Sequence, residues 1–261
     1  MDTIDHPLVG DRLIYGEGTS VDLWQNGSFL NELNAFEPHS FFAKNSRVCL
    51  IAPHPDDEIL GCAGLIQQLD ALGLEIILFA VTNGTASHPN SDIYSRHQLN
   101  KVRPYESLAA LKSLGLQHNI QRIELGIPDG EIYSQKRSLE EKLCSHLKPH
   151  DVLITTFEKD GHPDHEACGQ VVRQIAQTLS LSYLQVLIWA WHWAKPQDAR
   201  IPWDNALKLT LSPEQLERKA LATACFESQL MPDPSTGQAA ILSKTTLDRL
   251  LQPWEVYLHG D

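Results

Sequence analysis

From residue 47 onward, short and almost wholly apolar runs alternate with longer stretches of mixed periodicity. That alternation restricts the chain to an α/β fold built on a parallel sheet. The first run is 48–52 (VCLIA), closed by Pro53, and the second is 75–82 (EIILFAVT), closed by Asn83-Gly84. A third covers 120–125 before the turn Pro128-Asp129-Gly130, a fourth 152–155 and a fifth 185–191. Runs this short and this apolar are strands covered on both faces. Helices are expected between them over 61–72, 96–114, 138–148 and 164–179, with Gly73, Gly115 and Pro149 as stops for the first three. Pro104 falls inside the second and predicts a kink or a later start. Beyond Trp203 the pattern loosens, and helices are expected over 213–226 and 244–251. The expected sheet is doubly wound, with helices on both faces, and ligands collect beyond the carboxyl ends of such strands.

The first 45 residues carry no comparable period. Thr19 or Ser20 caps a short helix with Val21 and Trp24 on one face, and Gly27 keeps it short. Residues 1–45 are read as an extension packed on a main domain of residues 46–261. A chain of 261 residues, 42% hydrophobic and 21% charged, builds a full core in one such domain. Its net charge of -12 disfavours nucleic acid and anionic membrane as partners. No apolar run approaches the roughly 18 residues of a membrane span, and the N-terminal stretch lacks a basic-then-apolar leader pattern. The five cysteines include no Cys-x-x-Cys pair, which argues against a disulfide framework or a thiolate zinc site and for a cytoplasmic protein.

Chemistry-bearing residues gather at two of the strand ends. Pro53-His54-Pro55-Asp56-Asp57-Glu58 follows the first strand directly. One imidazole and three carboxylates so close together repel unless a cation or hydrogen-bond donors offset them. An acidic helix N-terminus accounts for Asp57 and Glu58, but not for a histidine held between two prolines. The second cluster, Gly161-His162-Pro163-Asp164-His165, follows the fourth strand after a short loop. Two imidazoles and one carboxylate make a three-ligand zinc set that leaves a position for water or substrate. His54, Asp57 and His165 can supply it, although spacing alone does not choose His165 over His162 or Asp57 over Asp56.

At these residues the chain resembles the PIG-L/LmbE family of de-N-acetylases. The resemblance runs from about residue 47 to 229 and takes in Gly61-Cys62-Ala63-Gly64, Arg103 with Glu106, Pro128-Asp129-Gly130, and Lys219 with Ser228-Gln229. Ala63 replaces the second glycine of the glycine-rich turn. The resemblance implies a Rossmann-like fold and zinc-dependent removal of an N-acetyl group from a small N-acylated amino-sugar conjugate. It makes His54, Asp57 and His165 the ligands of Zn²⁺, with Fe²⁺ as another divalent metal to consider. It makes Asp56 the general base and His162 the group that stabilises the oxyanion or assists the leaving amine. Arg103 and Asp129 match positions near the substrate's polar face.

A metal ion lowers the pKa of its water toward ~7 and polarises the amide carbonyl. Asp56, off the metal, is then placed to take the water's proton, and a protonated His162 to hold the growing negative charge. Asp164 orients an imidazole or caps the next helix, and Glu58 is an outer partner of the cluster or a partner of the helix N-terminal dipole, not a catalyst. Substrate choice is expected from loops: 83–95, long and polar enough to suit a mobile lid; 191–203, with Trp191, His192, Trp193 and Trp203; and 231–237. His192 is read as a contact at the pocket rim. A non-haem iron oxygenase and a metal-retaining binding protein share the ligand set as alternative readings.

Overall fold

The computed structural model describes residues 9–260. Residues 1–8, on which part of the N-terminal leader reading falls, lie outside the described residues. The strands are β1 (Asn34–Ala35), β2 (Arg47–Ala52), β3 (Glu75–Ala80), β4 (Gln121–Glu124), β5 (Val152–Thr156), β6 (Ser182–Val186), β7 (Ala206–Thr210) and β8 (Trp254–His259). They form one sheet in the order β1-β7-β8-β6-β5-β2-β3-β4. All neighbouring pairs are parallel except the two made by β8, which is antiparallel to β6 and β7.

Side chains alternate across a strand, and β2 feeds two cores. Val48, Leu50 and Ala52 join one cluster with Ile59, Leu65 and Leu69 of α1 (Asp57–Ala71), Ala110 of α2 (Arg96–Ser113), Ala222 of α5 (Pro213–Thr223) and Leu250 of α6 (Lys244–Leu250). Cys49 and Ile51 join the other, with Leu139 of α3 (Lys136–Cys144) and Val172 and Ile175 of α4 (Pro163–Leu179). The chain is thus a Rossmann-like, mostly parallel sheet covered on both sides. After β2 it moves outward through β3 and β4, then returns to place β5 on the opposite flank of β2. The strand order reverses between β2 and β5, and the crevice outside their carboxyl ends is where such folds bind ligands. Both motifs emerge there.

Three features depart from the sequence reading. The first long helix begins at Asp57, not residue 61, so the acidic motif is its first turn. The fifth strand occupies Ser182–Val186, and Ala190–Trp193 is a helical turn, not strand. The apolar run 186–191 is buried because the backbone wraps around the Asp160 carboxylate, which accepts the N–H groups of Ile188, Trp189 and Ala190. Finally, the looser stretch beyond Trp203 contains β7 and β8, and the segment without a period contains β1. β1 pairs with Leu207 and Lys208 of β7, while Trp24, Leu30 and Phe36 enter the same core as α1. Among the described residues, no helix is long and apolar enough to cross a membrane.

Candidate metal centre and active site

The first motif is held in a strained turn. Asp56 adopts φ 137 and ψ -31, a conformation that costs a non-glycine residue about 1–3 kcal/mol and persists only when neighbours enforce it. Its N–H donates to Glu58 Oε2 at 3.0 Å, and the other Glu58 oxygen accepts from Ser107 of α2. Although Asp56 precedes α1, its carboxylate does not cap the helix. Instead Oδ2 accepts from Arg103 Nη2 at 3.0 Å. Arg103 is 3% exposed and also donates to the Pro55 carbonyl at 2.8 Å and the Gly84 carbonyl at 2.9 Å. A side chain at Gly84 would collide with that guanidinium.

Asp57 points the other way. Its Oδ2 lies 3.4 Å from His54 Nδ1 and 3.3 Å from His165 Nε2, and those two nitrogens are 3.2 Å apart. A tetrahedral ion with bonds of about 2.0–2.1 Å separates its donors by roughly 3.3–3.4 Å. The triangle therefore matches one face of such a site, and its two imidazoles and one carboxylate suit a divalent cation. His162 offers a third imidazole, within 4.8 Å of His54 and His165 by its donor atoms.

The second motif is anchored by carboxylates. Asp160, fully buried, holds His165 Nδ1 at 2.8 Å, leaving Nε2 to face the triangle. Asp129 Oδ1 lies 3.1 Å from His54 Nε2 and its Oδ2 accepts from Ala86 N–H at 2.6 Å. Asp164 Oδ2 is 3.4 Å from the same His54 nitrogen and accepts from Gly130 N–H. Outer partners of this kind fix the orientation of metal-binding imidazoles. The cap of α4 is His162, whose Nδ1 accepts from Asp164 N–H at 3.2 Å.

The charges sort into three roles. Burial disfavours charge on His54, but hydrogen bonds with Asp129, Asp164 and Asp57 lift its pKa well above the usual imidazole value. Burial opposes charge on His165 as well, yet Asp57 and Asp160 raise it to about 9. Asp57 is held well below the ordinary carboxylate range by His165 and His54, against the effect of burial. Positive charge is thus drawn to the triangle, and a divalent cation can take the place of the protons. Asp56 goes the opposite way: burial pushes it up to about 7, with Arg103 opposing. Burial and the positive neighbours His54 and His165 press His162 down to about 3. That depression favours a neutral ring over the protonated His162 expected from the sequence. With Nδ1 accepting, the neutral ring carries its proton on Nε2.

The crevice thus collects His54, Asp56, Asp57, Asp129, His162 and His165. Arg103 reaches the site by way of Asp56, with its terminal nitrogens taken up by protein acceptors and not by open space. His192 stands elsewhere. It is 4% exposed, its Nδ1 accepts from Arg249 Nη2 at 2.8 Å and its Nε2 meets the Tyr15 carbonyl at 3.0 Å. Both ring nitrogens are engaged by the protein, which does not support the polar rim contact expected of His192. Trp191 packs edge-on against Trp24, and Trp193 Nε1 donates to the Asp160 carbonyl at 2.7 Å. The expected lid over 83–95 is tied to Asp129 through Ala86 and to Ser235 through Asp92 N–H. The sequence reading missed Asp160. Its only signal is a place in the loop before His162, which no periodicity distinguishes.

The fold and this crevice define a Rossmann-like α/β protein with a buried His/Asp/His group able to hold a metal at the switch point of its sheet. Residues 49–176 match the PIG-L family, described as GlcNAc-PI de-N-acetylase. The deacetylase YaiS of Escherichia coli, itself uncharacterized, is 30% identical over 143 residues, spanning 52% of this chain and 71% of that protein. The 1D-myo-inositol 2-acetamido-2-deoxy-alpha-D-glucopyranoside deacetylase of Corynebacterium glutamicum is 27% identical over 50% of this chain and 53% of its own length. The diacetylchitobiose deacetylase of Thermococcus kodakarensis is 26% identical over 51% and 50%. The chain thus spans about half the length of the latter two relatives. A deacetylase of the teicoplanin biosynthesis pathway shares the fold, with a TM-score of 0.61 at 19% identity over 82% of this chain and 97% of that one. The chain belongs to the PIG-L family.

Proposed function

We propose that this chain is a zinc-dependent de-N-acetylase of a small amino-sugar conjugate. The observation that carries the proposal is the triangle of His54 Nδ1, Asp57 Oδ2 and His165 Nε2, with sides of 3.2–3.4 Å, beside a buried carboxylate that is not part of it. The names of the relatives, deacetylases of an N-acetylated inositol glycoside and of diacetylchitobiose, support the amino-sugar class. A zinc ion held by these three residues supplies a water of lowered pKa and a polarised amide carbonyl.

The remaining roles fall to the chain's own groups. Asp56 has a pKa near 7 and takes the proton of the attacking water, as suits a base working near neutrality. Arg103 fixes the direction of its carboxylate. As negative charge grows on the carbonyl oxygen, His162, as a neutral imidazole, donates a hydrogen bond to it from Nε2–H and keeps its proton. Asp56 then returns its proton to the departing amine. Asp129, Asp164 and Asp160 hold the two ligand imidazoles in their working tautomers.

The test is elemental analysis of the protein purified without added metal, together with amine and acetate release from a panel of N-acetylated amino sugars. One equivalent of zinc and chelator-sensitive release of both products are expected. Oxygen consumption with ferrous iron, in place of amine release, would overturn the reading.

A further inference from the structure

Residues 9–19 cross the rim where β5 and β6 end, and they do so against the second motif. Arg12 forms a two-pronged pair with Glu166, Nε to Oε1 at 2.9 Å and Nη2 to Oε2 at 3.0 Å. Glu166 follows His165 in the first turn of α4, is 5% exposed, and accepts the Gly161 N–H through Oε1 at 2.9 Å. Gly161 has φ +97, and a Cβ there would stand 2.8 Å from the Arg12 carbonyl oxygen and 2.9 Å from the Trp193 ring. The backbone of the N-terminal segment thus packs directly on the residue before His162.

That segment is itself tied down at several points. Thr19 N–H donates to the His192 carbonyl at 2.7 Å and its hydroxyl to the Ala194 carbonyl at 2.6 Å. Arg249 is 5% exposed and spends Nη1 on the carbonyls of Glu17 and Thr19, both at 3.0 Å. His192 closes the set on Tyr15. A surface tail needs no buried arginine to hold it, yet Arg249 is spent on this one. Arg12 in turn compensates Glu166, whose carboxylate would otherwise be a buried charge without a cationic partner.

We infer that residues 11–19 are a strap that positions the second motif, with Arg12 acting through Glu166 and Gly161 on the turn that carries His162 and His165. Its bearing on zinc rests on the proposed ligand role of His165; its bearing on the turn does not. The chain region matched to the family begins at residue 49, so this brace is supplied from outside it.

Hydrogen–deuterium exchange on the full chain, chelator-stripped and zinc-loaded, tests the inference alongside zinc affinity by chelator competition. In Arg12→Ala, amides over 157–166 should exchange about tenfold faster, as befits a locally opened turn. Zinc should bind about tenfold more weakly, the scale expected when an outer brace is lost. Arg12→Lys, which keeps the charge without the fork, should fall between and serves if the alanine variant does not fold. Asp11→Ala removes only the pair to Arg200, made at 2.8 Å by side chains 79% and 37% exposed, and should match the parent. Parent-like exchange over 157–166, with changes confined to 9–19, overturns the strap. A parent-like zinc affinity in Arg12→Ala, where the parent binds zinc, overturns the strap's bearing on the metal. A parent that neither binds zinc nor releases amine sinks the proposed activity, yet the exchange arm still decides the strap.

Discussion

The two motifs meet at one point but are braced from different parts of the chain. The first is supported by residues within the family-matched region: Arg103 and Ser107 of α2 on Asp56 and Glu58, and Asp129 on His54. The second draws on residues outside it. Asp160 is held by N–H groups of 188–190 and its carbonyl by Trp193, while Glu166 is held by Arg12. Both His/Asp clusters and half of their support thus lie within the family-matched residues. The rest of the support comes from segments far away in sequence.

The widest break in that comparison is Asp57→Ala, which removes the one oxygen common to both halves of the triangle. Zinc content and turnover should both fall to background, and retention of one zinc per chain would show that another carboxylate or His162 holds it. Next comes Asp56→Asn on the first motif alone. Here zinc content should be unchanged and kcat should fall by about 10²–10⁴-fold, the usual worth of a positioned base. Equal kcat in variant and parent would remove Asp56 from the chemistry. On the second motif, Asp160→Asn replaces the acceptor for His165 Nδ1, and zinc should bind about 10–100-fold more weakly. If Asp160→Asn binds zinc like the parent, the asymmetry of bracing has no functional weight.

The smallest effect is expected at His192. His192→Ala removes two hydrogen bonds under the strap and should lower stability by about 1–3 kcal/mol, seen as a reduced Tm. Relative rates across a panel of N-acyl amino sugars should stay those of the parent. A change in substrate order would put His192 back at the pocket rim.

Most of the central sheet was legible from the chain alone, because a strand buried on both faces is apolar at nearly every position, as 48–52, 76–81 and 152–154 are. The two His/Asp clusters were legible for a related reason: charge packed so densely beside a buried strand demands compensation. β7 (ALKLT) and β8 (WEVYLH) were not, since their polar positions blur the pattern. Glu255 is such a position, 4% exposed and paired with Lys219 Nζ at 2.9 Å across the core. No local rule announces a carboxylate that a distant lysine will neutralise.

Composition and periodicity by themselves determined the α/β class, the strand ends that carry chemistry, and the residue types available there. Tertiary structure decided which atoms face one another. Adjacent Asp56 and Asp57 differ in role because a strained turn sends one to Arg103 and the other to two imidazoles. The pKa of His162 is depressed because it lies buried beside two other rings, and His192 is a strut because Arg249 and Tyr15 occupy both its nitrogens. Each of these depends on partners dozens to more than a hundred residues away, brought near by the order of strands in the sheet. Spacing along a chain holds no record of such distances.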